Sequence, residues 1–266
     1  MTDSLNKYIS IGLIAARSNL AYLTEVIIRT FFLGVILYIF LQLWQLTYAN
    51  AGVERVGDLS LNQMLWYLTI TESIVLSSPR IAQEVDQDVR TGALATQLIK
   101  PMSYPLYRLW FTLGERIIRF GVNAIVGALI IFILAGPIHL SLIGILMFLI
   151  VLFLSFTLDF LGVFIIGIGS FWTEDTTGLV LIYSRLNMIL GGMLIPIEIF
   201  PDTIQPVLKF LPFANIVYGP ARMLVQSSFS FFEELLLRQA LSILMLAICL
   251  YFVYNKAVNR IHLNGG

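Results

Sequence analysis

Residues 142–171, LIGILMFLIVLFLSFTLDFLGVFIIGIGSF, run for thirty positions with one charged side chain, Asp159. A membrane-spanning helix needs roughly 20 mainly apolar residues, so this run is long enough to cross a bilayer with tilt or to protrude from it. Five further segments qualify: 26–48, 61–78, 118–136, 178–196 and 235–255. The expected fold is an all-α integral membrane protein with six transmembrane helices, a single transmembrane domain over residues 1–266. Composition agrees, with 58% hydrophobic and 12% charged residues, about half the charge of a soluble domain, and a mean hydropathy of +0.88. A net charge of zero sets aside nucleic acid as a partner. The single cysteine, Cys249, lies in an apolar run, so neither a disulfide framework nor a thiolate metal site is expected. The first residues lack the basic, apolar and small-residue order of a removable signal, and the chain is expected to insert whole.

Before the first span, Leu5, Tyr8, Ile9, Gly12, Leu13 and Ala16 recur at helical spacing. This pattern predicts an amphipathic helix over 1–22 lying in the membrane interface. Twelve of the sixteen Lys and Arg fall on the side that holds both chain ends; Arg55, Lys209, Arg222 and Arg238 fall on the other. The positive-inside rule then places both termini in the cytoplasm. Of the outer connectors, 49–60 is short and polar, and GPIHL is a tight turn. The third is too apolar for a floating loop, and its prolines interrupt any continuous helix. Pro196 opens it, and Pro201 and Pro212 are each spaced to start a short helix. It is read as a re-entrant helical hairpin over 197–225, with Gly191 and Gly192 before it allowing close packing or a bend.

Catalytic motifs are missing. There is no G-x-x-x-x-G-K-[ST] to cradle ATP, no G-x-S-x-G, no H-E-x-x-H and no Cys/His cluster. Catalytic, cofactor and metal residues are therefore expected to be none. Acids within spans are functional candidates by default because burying them in hydrocarbon is costly. Asp159 and Glu72, each near the middle of its span, either line a cargo path or hydrogen-bond a neighbouring helix and hold the bundle together. Arg185 can snorkel to the interface. The pairs Glu25–Arg29 and Glu115–Arg119 have helix-supporting i,i+4 spacing.

The connector after the second span, residues 79–100, is more elaborate than a turn requires. Ser77 or Ser78 can cap a helix with Pro79 in its first turn. Ile81, Val85 and Val89 form an apolar stripe, with Glu84 and Asp88 on another face. Gly92 ends this helix, and a second, 93–99, stops at Pro101. The segment YPLYRLWFTLGERIIRF is amphipathic and suits an interfacial entry into the third span. An apolar stripe is unneeded in a solvated loop, so the connector is expected to dock. Glu84, Asp86, Asp88 and Arg90 could give such a contact its electrostatic register.

The order of elements, the connector EVDQDVRTGALATQLIKPMSYPLYR and the stretch GGMLIPIEIFPDTIQPVLKFLPFANIVYGPARML resemble the ABC-2 membrane family of exporter permeases. The pattern R-x-G-x-L…L-x-K-P is most similar to its viologen-exporter-type subfamily. The resemblance covers essentially the whole chain. It implies a half-permease in a bacterial inner membrane that pairs with a second permease half, identical or different. It also implies that residues 80–100 match the coupling helix seated on separately encoded cytoplasmic ABC ATPase subunits, which would bind ATP and Mg. Two functions follow as expectations: ATP-driven export of an amphipathic small molecule, lipid or envelope component, or a passive channel or membrane scaffold with no ATPase partner.

Overall fold

A computed structural model describes residues 2–20, 23–173 and 175–264. The chain forms α1 (Thr2–Leu20), α2 (Leu23–Ala51), a two-stranded ribbon of β1 (Arg55–Val56) and β2 (Leu59–Ser60), and α3 (Leu61–Leu76). Then follow α4 (Ile81–Arg90), α5 (Ala93–Leu98), α6 (Tyr104–Ala135), α7 (Leu142–Ile168) and α8 (Thr177–Ile189). Three short helices, α9 (Gln205–Phe210), α10 (Pro212–Ile216) and α11 (Tyr218–Val225), precede α12 (Phe229–Asn264).

Among the described residues, four helices are long and apolar enough to cross a membrane: α2, α6, α7 with the 3-10 turn that extends it, and α12. The other two expected spans form shorter helices. α3 has 16 residues and α8 has 13, about 24 and 20 Å at 1.5 Å per residue against a hydrocarbon core of about 30 Å. α8 stops early because the chain turns at Gly191 and Gly192, the latter at φ 70°. α6 is longer than the expected span 118–136. The amphipathic stretch from Tyr104 and that span are one continuous helix, since nothing before Gly136 stops it.

α1 packs along the first half of α6. Its buried side is Tyr8, Gly12, Ala15 and Asn19, spaced for one helix face. Ile9, Leu13 and Ile14 remain exposed on the rest of the surface. Gly12 and Gly114 meet backbone to backbone, where a side chain on Gly114 would strike the Gly12 carbonyl. Asn19 donates to Glu115 at 2.8 Å and accepts from Arg119 at 2.9 Å, so the expected Glu115–Arg119 pair is shared with α1. The Glu25–Arg29 pair lies outside the described side chains.

The ribbon was not expected from the polar connector 49–60. Gly57 and Asp58 both take positive φ, 56° and 64°, as a two-residue hairpin turn demands. Gly57 lies against Ile199 and Glu198, which ties the ribbon to the segment after α8. α7 is the hub of the bundle, touched by α4, α6, α8, α10, α11 and α12.

Candidate functional site

The connector folds as two helices separated by Gly92 at φ 72°, a left-handed conformation that glycine adopts without steric cost. Ile81, Ala82 and Val85 are buried, packed among Phe160, Phe164 and Ile168 of α7. Close approach is possible because Gly167 has no side chain: a Cβ there would come within 2.9 Å of the Val85 Cβ and 3.1 Å of the Ala82 Cα. A polar clamp adds to this apolar contact. Arg108, one turn into α6, donates to Glu84 at 2.8 Å and also to Asp88. The Tyr104 hydroxyl donates to Asp88 at 2.7 Å. Burial holds the Glu84 carboxyl above its ordinary range, while Arg108 pulls it the other way.

Of the four charged residues expected to face a partner, Glu84 and Asp88 are thus committed within the chain. Asp86 and Arg90 pair with each other at 2.9 Å. The outward surface of α4 and α5 is Gln83, Gln87, Arg90, Ala95 and Thr96, with Ile99 beyond α5 at 85% exposure. Ser77 and Ser78 do not cap α4, which begins at Ile81 without a side-chain cap. They serve a buried ion pair instead.

That pair is Arg116 of α6 with Asp159 of α7, 2.7 Å apart. The Arg116 side chain is 1% exposed. It also donates to Ser78 at 3.1 Å and, at longer range, to Ser77 and to the Ile74 carbonyl, with its guanidinium 4.3 Å over the Phe156 ring. Asp159 further accepts from Ser78 at 3.3 Å, from the Tyr183 hydroxyl at 2.9 Å and from Asn187 at 3.3 Å. Two charges out of water need this completeness, because attraction offsets desolvation only when the remaining hydrogen bonds are also made. The turn that follows α3 and helices α6, α7 and α8 therefore meet at one carboxylate. Beside it lies a cavity of about 230 Å³ that reaches from Tyr183 and Asn187 to Pro79, Arg80 and Gln83 at the root of α4.

Sequence reasoning singled out Asp159 but gave it no partner, and it placed Arg116 at the interface. The signal was available in one form: a lone buried acid requires a cation or a set of donors. Glu72 is not part of this centre. It is buried on α3 and has no hydrogen bond or ion pair to another described residue, while Thr69, Thr71 and Ser73 beside it bond to backbone carbonyls.

The segment after α8 is pinned to the bundle by backbone contacts. The Tyr67 hydroxyl donates to the Gly192 carbonyl, Tyr218 N donates to Gly191 O at 3.0 Å, and Thr71 donates to Met193 O at 3.0 Å. Pro196 leads into a 3-10 turn, and Pro212 starts α10 as expected. Pro201 does not start a helix. Its carbonyl accepts from Ile204 and Gln205, and α9 begins only at Gln205, with Pro206 in its first turn. Ala214, Ile216, Tyr218, Ala221 and Met223 are buried, so α10 and α11 belong to the core.

Long apolar helices around a buried ion pair, with a polar connector fixed rigidly at one end, define a multi-pass membrane protein. The chain belongs to the ABC-2 family of transporters: the model described as ABC-2 family transporter protein matches residues 32–265. It is by that membership a membrane component of an ABC transporter, a family whose members normally carry no ATPase of their own. No curated protein matches the chain.

Proposed function

We propose that the chain is a permease subunit that exports an amphipathic small molecule, lipid or envelope component, driven by ATP bound with Mg on separate ATPase subunits. A second permease half, identical or different, completes the path. The six crossings are α2, α3, α6, α7, α8 and α12, with α3 and α8 extended by the turns that follow them. α1 lies in the interface, α9 to α11 form the re-entrant hairpin, and both termini are cytoplasmic in a bacterial inner membrane.

The observation that carries this reading is the double anchoring of α4. An apolar stripe holds it to α7 and the Arg108 clamp holds it to α6, while Gln83, Gln87 and Arg90 face outward. Such a helix acts as a short lever: force applied to its outer surface reaches two spans without being lost in a loop. Ser77 and Ser78 at its root contact the Arg116–Asp159 pair, so the same displacement reaches α8. In this reading Asp159 is a mechanical junction beside the inner cavity.

The test separates surface from anchor. Gln87→Glu combined with Ile99→Asp should leave insertion and folding unchanged yet remove copurification with a P-loop ATPase. Normal ATPase binding in that variant would overturn the outer face of α4 and α5 as the docking surface, and transport without any ATPase would favour the channel or scaffold reading.

A further inference from the structure

At the end of the bundle opposite α4, a cavity of about 540 Å³ opens between α9, α11 and the first turns of α12. Three of the four Lys and Arg assigned to the outer side line it: Lys209, Arg222 and Arg238. Their bonding capacity is only partly used. Arg222 reaches Glu198 through Nε at 3.1 Å, while its buried Nη1 has no partner. Arg238 reaches Glu234 through Nη2 at 2.8 Å, while its buried Nε has none. Lys209 is half-buried and makes no ion pair among the described residues. Glu198 accepts from Tyr218 and Arg222 on Oε1 and leaves its buried Oε2 unsatisfied.

Unsatisfied buried polar atoms are rare in folded chains, and each calls for an explanation. Here three of them surround one cavity, together with a spare ammonium. Residues beside the lining in the chain supply the second observation. Val207 and Phe210, within two residues of Lys209, are 61% and 72% exposed, and Phe229, next to Ser228, is 65% exposed. A polar hollow whose lining residues have exposed apolar neighbours fits a molecule with a polar head and an apolar tail.

The geometry points to a binding site for the headgroup of a zwitterionic phospholipid. Phosphate oxygens match the spare donors of Lys209, Arg222 and Arg238, since guanidinium groups present paired donors to phosphate. The lining balances three cations with three acids, Asp58, Glu198 and Glu234. That balance favours a head carrying an ammonium beside its phosphate over a bare anion, with Glu198 accepting from the ammonium. The acyl chains would run over Val207, Phe210 and Phe229. The site needs no ATPase to form, so its failure would leave the reading of α4 untouched.

The purified full chain in an uncharged detergent can be titrated with short-chain phosphatidylethanolamine, short-chain phosphatidylglycerol and tailless phosphorylethanolamine, with thermal stabilisation as the readout. Phosphatidylethanolamine should stabilise most, and phosphorylethanolamine at least tenfold less effectively. Lys209→Gln should weaken phosphatidylethanolamine binding about tenfold, the scale of one charge-assisted hydrogen bond. Glu198→Gln should weaken phosphatidylethanolamine selectively and spare phosphatidylglycerol. Lys209 is half-exposed, so its variant should fold even if an Arg238→Gln chain does not. Equal binding of the tailless compound, or unchanged binding in Lys209→Gln, would overturn the assignment.

Discussion

Removing one member of the Arg116–Asp159 pair is the most informative perturbation of the bundle. In Arg116→Gln the carboxylate keeps Ser78, Tyr183 and Asn187 as donors but loses its counter-ion. In Asp159→Asn the guanidinium keeps Ser77, Ser78 and the Ile74 carbonyl, but a charge 1% exposed is left uncompensated. Breaking a buried pair from one side costs about 3–5 kcal/mol, and a lone Arg or Asp at the centre of a spanning helix about 3 kcal/mol by insertion scales. The expected loss is therefore about 3–5 kcal/mol for each single change. The double variant buries no net charge and keeps polar partners on both sides, so it should cost about 1–3 kcal/mol less than the sum of the singles. Reversible unfolding of the purified chain in mixed micelles, titrated with a denaturing detergent, measures all three. Additive losses, with a coupling under about 0.5 kcal/mol, would refute the reasoning. The two charges would then be solvated separately through the adjoining cavity.

Three other outcomes follow from the geometry. Gly167→Ala should cost about 1–3 kcal/mol of overpacking and loosen α4 from α7, read as faster proteolysis within residues 81–100 and weaker ATPase coupling at normal expression. Gly192→Ala, at φ 70° with Tyr67 and Tyr218 within 3.3 Å of the added Cβ, should lose at least about 1–2 kcal/mol from backbone strain alone, measured by thermal unfolding. Cysteines at Asn50 and Gln87, both exposed and at opposite ends of the bundle, should label from outside and from inside the cell respectively with an impermeant thiol reagent; the reverse pattern would invert the charge-based orientation.

Periodicity and punctuation in the sequence carried most of the helix map. α7 and its 3-10 extension end where the apolar run ends, and Gly92 separates α4 from α5 where a left-handed residue was needed. The boundaries that moved have local causes. Pro201 and Pro206 satisfy the same first-turn rule, and what separates them is a turn bond to the Pro201 carbonyl that pattern alone does not encode. The site was less legible because its partners are far apart in sequence. Glu84 and Asp88 occupy a helix face that could equally meet solvent, a partner or Arg108, and only the path of α6 decides between them. Arg116 was hidden for a related reason: an amphipathic stretch looks the same whether its polar residues face water or, as here, a neighbouring carboxylate.

The two ends of the bundle are joined by α7, and this limits how the protein can move. Toward α4 it presents Gly167, Phe164 and Phe160, and next to Phe160 in the chain stands Asp159. On its other half, Ser155 donates to the Ile216 carbonyl, and Gln239 of α12 bridges the carbonyls of Val151 and Asn215 at 3.0 Å each. Each contact is either close-packed or satisfied by directional bonds, and such contacts favour discrete arrangements over continuous deformation. A displacement of α4 is therefore more readily taken up by rotation of α6 and α7 together than by sliding between them. The hairpin helices α10 and α11, held to that same shaft, would move with it. α8 is the exception: it has no fully buried residue and meets the shaft at few points, among them Tyr183 and Asn187 on Asp159. Motion between the two ends of the bundle should thus appear first at α8, and an Asp159→Asn chain should show it as amide exchange that rises more over 177–189 than in α7. Protection lost equally in both helices would mean that the ion pair holds the whole bundle and not this one hinge.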